Sequence, residues 1–422
     1  MKIIKRDIDS LNVYYMPNKK FKTIDMAFVF TNKFDPKEIN ERNFLSEILM
    51  ESTAKYNNQE KLSLACDNLY GLDKTSNYHA VSNMSITTFM ARTINDKYVD
   101  DSDVFSHSLD LLIEIIFNPK LFKGKIPKKA ITELKEQTEE LLLSIKQNKN
   151  AYTYYQFMNE YTRNNKDTIA IFPEKRYFNE ISAETVTNVY NKMINEDDLQ
   201  IFIAGDFDHE EMDQLIKNKL HFYKSKTPLE YSRVVEFKTE EKINEVIEKE
   251  STGQSRVYIG YKLDFPISKQ NAATMALFDE IFGGYEKSKL FSNIREKMQL
   301  SYYVYSRYNE DNNLFFVNLE TNKQNLQKAV EAVNQELKAC KSGDISDSLF
   351  NQAKINLTKR LENAMDSQTK LLLHNIIETL KMQESFDLEN KIKTIEDIRK
   401  EDLIALIQNI SIDTIYIYTN ED

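Results

Sequence analysis

The segment "LSEILMES", residues 45–52, has a counterpart in "FDEIFGGY", residues 278–285, about 233 residues downstream. Leu45 aligns with Phe278, Ile48 with Ile281 and Leu49 with Phe282, so the three- and four-residue spacing of a helix's apolar face recurs intact. Working outward, the alternating run "IDMAFVF" (24–30) is matched by "RVYIGYK" (256–262), strand-like in both places. A third pair closes the series at an offset of about 215 residues: "ISAETVTNVYNKMINEDDLQIFIAGD" (181–206) and "IEDIRKEDLIALIQNISIDTIYIYTN" (395–420), each a helix followed by a short apolar strand. Three pairs in the same order predict two homologous halves, and the drift in offset is what loop insertions produce. The expected division is 1–222 and 243–422, joined by a charged linker over 223–242. Within each half the order is strand, helix, further strands, long helices and a closing strand. That order predicts an α+β fold of two tandem domains, each a mainly antiparallel sheet with helices packed on one face. One of the long helices follows Pro127, with Ile131, Leu134, Leu141, Leu142 and Ile145 expected on its core face.

Composition agrees with this plan and excludes several functions. A chain of 422 residues exceeds what one core organises, and only 8 Gly and 7 Pro favour long elements over loops. Lys and Arg total 56 against 66 Asp and Glu, and a net charge of −10 argues against nucleic acid as the partner. No window approaches the roughly 18 apolar residues that a membrane span requires, and "MKIIKRDIDSLNVYY" lacks a signal-peptide apolar run, so a cytoplasmic location is the expectation. Cys66 and Cys340 have no neighbouring cysteine and read as ordinary, partly buried thiols.

The stretch "NFLSEILMEST" (43–53) reads as the opening of an amphipathic helix. Asn43, Glu47 and Glu51 stack at four-residue intervals opposite Phe44, Leu45, Ile48 and Leu49. It is laid out like a metal-binding helix, yet it contains no histidine. Together with the repeat, "DLQIFIAGDFDHEEMDQLI" (198–216) and "SKLFSNIREKMQLSYYVYS" (288–306), the pattern resembles the insulinase/pitrilysin, or inverzincin, metallopeptidases over nearly the whole chain. In that family the first helix carries H-x-x-E-H, two zinc-binding histidines with a glutamate as general base, and a glutamate on a later helix completes the site. The resemblance places the first histidine at Asn43, the base at Ser46, the second histidine at Glu47 and the third ligand at Ser144. Catalytic zinc needs three protein ligands and an open position, and this set offers one carboxylate. Losing the base alone removes roughly 10²- to 10⁴-fold in rate.

No two of the five histidines, at 79, 107, 209, 221 and 374, lie within one helical turn, so no paired-histidine motif replaces the lost one. Glu47 with Glu51 could offer oxygen ligands to a hard cation, although a solvated helix face is the commoner meaning of such a pair. The second half differs. "REKMQLSY" sets Arg295 and Tyr302 seven residues apart, resembling the family's arginine and tyrosine that reach into the active site from the repeat without zinc. Guanidinium and phenol both donate hydrogen bonds, so such a pair suits a substrate carbonyl and its developing oxyanion. Tyr303, Tyr305 and Tyr308 read as strand or interface residues.

Donors kept beside an erased zinc motif are similar to the non-catalytic subunit of heterodimeric family members. The resemblance implies no cofactor in this chain, zinc in a motif-bearing peptidase partner, and a peptide substrate bound as an added strand on a sheet edge. "MSITTFMAR" (84–92) is a candidate for that edge, with an interior strand as the alternative. The alternative is a stand-alone peptide-binding or scaffold protein, as a homodimer, without peptidase activity.

Overall fold

The computed structural model describes residues 3–81, 83–166, 169, 171–224, 226, 238, 241–265, 268–382 and 387–421. Most of the expected linker, including 227–237, lies outside them. The strands are β1 Ile4–Ile8, β2 Leu11–Pro17, β3 Thr23–Lys33, β4 Asp73–Val81, β5 Met84–Ile94, β6 Asp198–Gly205, β7 Asn244–Lys249, β8 Ser255–Leu263, β9 Tyr303–Asn309, β10 Leu314–Thr321 and β11 Ile410–Thr419. The helices are α1 Ile39–Leu49, α2 Gln59–Asp67, α3 Val104–Phe117, α4 Lys128–Gln147, α5 Lys149–Tyr161, α6 Ala183–Asn195, α7 His209–Leu220, α8 Lys269–Asp279, α9 Leu326–Lys341, α10 Asp347–Ala364, α11 Gln368–Met382, α12 Leu388–Glu396 and α13 Lys400–Ile407.

Two compact units result, and each contains a segment from the opposite end of the chain. The first takes Met1–Leu141, Ala170–Ser232 and Ala364–Asp387; the second takes Leu142–Ile169, Arg233–Asn363 and Leu388–Asp422. Among the described residues the first sheet has the order β1-β2-β6-β3-β5-β4, and the second β7-β11-β8-β10-β9. Every pairing is antiparallel except β2 with β6 and β7 with β11. The expected α+β architecture with mainly antiparallel sheets is therefore present; a helical layer covers one face of each, and, unlike the expectation of helices on one face only, a further helix lies on the opposite face.

In the first unit that layer packs Phe44, Leu45, Leu109, Leu112, Val186 and Met193 against Met26, Phe28 and Phe30 of β3. Strand β3 is buried along both faces, since Ala27 and Val29 between those residues meet Leu372, Ile376 and Leu380 of α11. Burying three such side chains stabilises the docking by roughly 1.5–3 kcal/mol each. A polar latch fixes the same helix: buried Asp25 on β3 accepts from Arg92 Nε (2.9 Å), Gln368 Nε2 (3.0 Å) and Thr369 Oγ1 (3.0 Å).

The second unit repeats the device with α5. Phe157 and Tyr161 lie on Tyr258, Phe316, Tyr416 and Tyr418, on the face opposite the layer that contains Phe278, Phe282 and Leu337. The Tyr161 ring fits because residue 260 is glycine; a Cβ there would come within 2.7 Å of the ring. Its hydroxyl donates to the carbonyls of Tyr261 (2.5 Å) and Phe315 (3.1 Å). Lys149 pairs with Glu250 at 2.8 Å and the Tyr152 hydroxyl donates to Glu248 at 2.7 Å, fastening the helix start beside β7.

Two local expectations are corrected and one open alternative is decided. Helix α1 spans Ile39–Leu49, so Glu51 lies past its end; the Met50 amide closes the last turn on Glu47 and Ile48, and the eight-residue stack stops at Glu47. The segment containing 84–92, read as an edge or an interior strand, is β5, interior between β3 and β4, and the edges of its sheet are β1 and β4. On α4 the buried face ends early: Ile131, Leu134 and Thr138 are buried, whereas Leu141 is exposed.

Candidate functional site

Helix α1 is set by buried polar contacts at its start. Asp35 caps the 3-10 turn Pro36–Glu38 that leads into it, with its side chain accepting from the Lys37 amide at 2.9 Å. The buried Arg42 donates to Asp197 Oδ2 (2.8 Å) and Glu38 Oε2 (2.9 Å), and Lys192 of α6 adds a 2.6 Å contact to Glu38. Asn40 exchanges hydrogen bonds with the backbone of Glu174, at 2.9 and 2.8 Å. These contacts, with Phe44, Leu45, Ile48 and Leu49 in the core, hold the helix without any metal.

At two of the positions where the resemblance puts metal-site residues, Asn43 and Ser46, the polar groups turn back on the helix. Asn43 Nδ2 donates to the Ile39 carbonyl at 2.7 Å, and Ser46 Oγ to the Asn43 carbonyl at 2.8 Å. Glu47 is exposed. Desolvation by its surroundings, then the Glu51 charge, pushes its carboxyl above the ordinary range. Ser144 is exposed on α4, in the part of that helix that belongs to the second unit. An amide and a hydroxyl do not replace imidazoles as zinc ligands, and among the described residues no three His, Cys, Asp or Glu are grouped to hold a metal. The residues present do not fit a zinc ion. Both cysteines are buried, and burial pushes the Cys340 thiol up to about 12.

The edge strand β4 grips the end of α1. Ser76 Oγ donates to the Ser46 carbonyl at 2.8 Å, and Lys74 Nζ donates to the Met50 carbonyl. The second unit contains the same contact at the aligned position: Ser306 Oγ of β9 bonds to Asp279, at 3.2 Å to the carbonyl and 2.6 Å to Oδ1. Asp279 follows Phe278 as Ser46 follows Leu45, so the repeat extends from apolar spacing to a shared hydrogen bond. Burial raises the Asp279 carboxyl, against the Ser306 hydroxyl and the Tyr308 amide that bond to it. Its neighbour Glu280 is buried and paired with Arg360 at 2.5 Å. The contact needs glycine at 283, where a Cβ would sit 2.3 Å from the Ser306 nitrogen. Nothing in the sequence reading singled out Asp279 and Ser306, although the alignment itself pointed to the first.

Arg295 lies on the π-helical turn Phe291–Lys297, its guanidinium 4.4 Å from the centre of the Phe291 ring. It is exposed, and among the described residues it has no hydrogen bond or ion pair. The chain then turns through Gln299, in left-handed conformation at φ +53°, and enters β9. Ser301 anchors that entry, donating to the carbonyls of Tyr303 (2.6 Å) and Glu320 (2.8 Å). Tyr302 is 55% exposed, so its ring is free to meet a ligand; its amide donates to Glu320 and its hydroxyl accepts from Asn322 Nδ2 at 3.1 Å. The structure thus puts Arg295 and Tyr302 on either side of one turn in the second unit. Asn43, Ser46 and Glu47 are together on α1 in the first.

Residues 180–357 match the family described as the peptidase M16 inactive domain. A curated protein of Bacillus subtilis, "Probable inactive metalloprotease YmfF", is 24% identical over 414 residues, covering 98% of this chain and 96% of its own length. Residues 180–357 thus match a peptidase M16 inactive domain, and over nearly its full length the chain is similar to a probable inactive metalloprotease.

Solved structures share the fold of this chain at full length. A conserved protein from Enterococcus faecalis superposes with a TM-score of 0.91 at 24% identity, covering 100% of this chain and 99% of that one. A peptidase M16 inactive domain from Pseudomonas fluorescens gives 0.77 at 14% identity, with 100% and 99% covered. Packing of Phe44, Leu45, Ile48 and Leu49 holds α1 independently of what stands at 43 and 47.

Proposed function

We propose that this chain is the non-catalytic subunit of a zinc metallopeptidase, pairing with a motif-bearing M16 partner and contributing Arg295 and Tyr302 to peptide cleavage. One observation carries the reading: in a protein whose zinc positions are spent on backbone hydrogen bonds, the second unit keeps an exposed guanidinium with no hydrogen bond or ion pair among the described residues. An arginine whose N–H groups have no hydrogen-bond acceptor among the described residues is available to an incoming carbonyl or oxyanion, and Tyr302 adds a second donor whose hydroxyl now only accepts a bond from Asn322. Zinc and the attacking water belong to the partner in this reading; this chain supplies binding and charge stabilisation.

The test mixes the purified chain with a motif-bearing partner and follows a quenched peptide. Zinc-dependent cleavage should need both chains, and Arg295→Ala should lower kcat about 10²-fold, the effect of losing one oxyanion-type donor. Tyr302→Phe should cost less, since the ring remains. Unchanged turnover in Arg295→Ala would remove the assigned role. A stable homodimer that binds peptide and accelerates no partner's hydrolysis would favour the scaffold reading instead.

A further inference from the structure

The second unit contains a recess that neither Arg295 nor Tyr302 lines. Its volume is 360 Å3, within the range of pockets that take a small ligand or one side chain. Tyr154 of α5, Tyr258 of β8, Tyr305 of β9 and Phe316 of β10 form the wall, with Arg307 and Asn309 at the rim. The aromatic wall is rigid: Tyr258 stacks on Phe157 with ring centres 4.8 Å apart, and Tyr154 lies 5.9 Å from both Tyr258 and Phe316. Burial keeps Tyr154 and Tyr258 protonated well beyond neutral pH, so their hydroxyls stay neutral.

The polar rim is one-sided. Arg307 is exposed and, among the described residues, has no hydrogen bond or ion pair. Asn309 Oδ1 accepts from the Asn312 amide at 3.0 Å, which leaves its amide nitrogen as a donor. Among the described residues no carboxylate lines the recess. A cationic ligand is therefore disfavoured despite the aromatic wall, because Arg307 would repel it. A ligand that joins a flat apolar body to an anion satisfies both parts, and a guanidinium binds a carboxylate in two-point geometry.

We infer that this recess binds the C-terminal residue of a peptide, its carboxylate on Arg307 and Asn309 and its aromatic or large apolar side chain against Tyr154, Tyr258 and Phe316. The inference rests on the peptide-binding reading above and deepens it by naming the end of the peptide that is recognised. Both groups come from a single residue, which is what a recess of this size accommodates.

The chain contains no tryptophan, so a tryptophan-ending peptide is a clean optical probe. Two acetylated peptides of one sequence, one ending in Trp with a free carboxylate and one amidated, are titrated with the chain alone and followed by tryptophan emission. The acid should bind saturably with a blue shift, and the amide at least about 10-fold more weakly, the loss expected for a charge-assisted hydrogen bond. Arg307→Ala should erase the difference between the two, and Arg307→Lys should keep part of it; far-UV circular dichroism should be unchanged in both, since Arg307 is exposed. Tyr154→Ala, also at an exposed position, should weaken both peptides. Equal binding of acid and amide, undiminished selectivity in Arg307→Ala, or no binding of the acid would each overturn the inference. The measurement uses no partner and no zinc. Acid-selective binding by a chain that supports no cleavage would therefore count against the subunit role alone.

Discussion

Gly260→Ala tests how α5 is held on the second sheet. The added methyl would lie 2.7, 2.8 and 2.9 Å from three ring atoms of Tyr161, where ordinary contact needs about 3.5 Å or more. The ring cannot withdraw freely, because its hydroxyl bonds to the Tyr261 carbonyl at 2.5 Å and the Phe315 carbonyl at 3.1 Å. Overpacking of a full core costs about 1–3 kcal/mol. If the ring retreats, two buried carbonyls lose a donor, and about 1–3 kcal/mol is added. The substitution should therefore destabilise the second unit by about 2–6 kcal/mol. With a urea m-value of about 3 kcal/mol/M, the midpoint falls by about 1 M. Urea unfolding followed by far-UV circular dichroism and tyrosine emission reads the shift. The decisive version is a double-mutant cycle. Tyr161→Ala alone should cost about 3–5 kcal/mol for the cavity. In that background Gly260→Ala should be neutral or slightly favourable, because the methyl enters space the ring has vacated. The coupling should reach about 2 kcal/mol or more. Additive effects, or a cost below about 0.5 kcal/mol for Gly260→Ala in the parent chain, would refute the claim that glycine is there to admit Tyr161.

Asp25→Ala should release α11 from the first sheet, since one buried carboxylate accepts from Arg92, Gln368 and Thr369; hydrogen exchange over residues 368–382 should rise well before global unfolding. The buried Glu41 carboxyl is raised, by desolvation first, with its hydrogen bonds opposing and the charges of Glu38 and Glu180 adding. Between the ordinary carboxylate range and that raised value the native state keeps a proton the unfolded state has released, so stability contributed by this group falls as pH rises through the window. Glu41→Gln should flatten that fall, as measured by urea midpoints across the acid range. On α1, Asn43→His with Glu47→His recreates a four-residue histidine pair, and equilibrium dialysis should find zinc uptake by the double variant without independent peptidase activity, since the base at 46 is still serine.

The sequence carried the two-unit plan because apolar spacing survives wherever a core must be filled. Leu45 with Phe278, Ile48 with Ile281 and Leu49 with Phe282 are all buried. The expectation of no zinc site at 43, 46, 47 and 144 rests on residue type alone, since the chemistry of a metal site is written in residue type. Placing β5 inside the sheet was beyond the sequence, because Thr and Ile alternate on interior and edge strands alike. The passage of α5 and α11 onto the opposite faces was also hidden, since a helix with two apolar sides looks the same whichever sheet receives it. Tyr161 with Gly260 is the signature of one such passage, but a lone glycine in a strand does not say which ring it admits. The recess around Arg307 could not be read at all. Its wall is assembled from α5, β8, β9 and β10, whose residues are up to about 160 positions apart.

Zinc binding by the parent chain alone tests the central claim most directly, with metal content measured after dialysis against zinc and removal of the excess. The account requires a content far below one zinc per chain and no cleavage of a quenched peptide until a motif-bearing partner is added. One tightly held zinc per chain, lost on Glu47→Ala and accompanied by peptide cleavage without any partner, would contradict it.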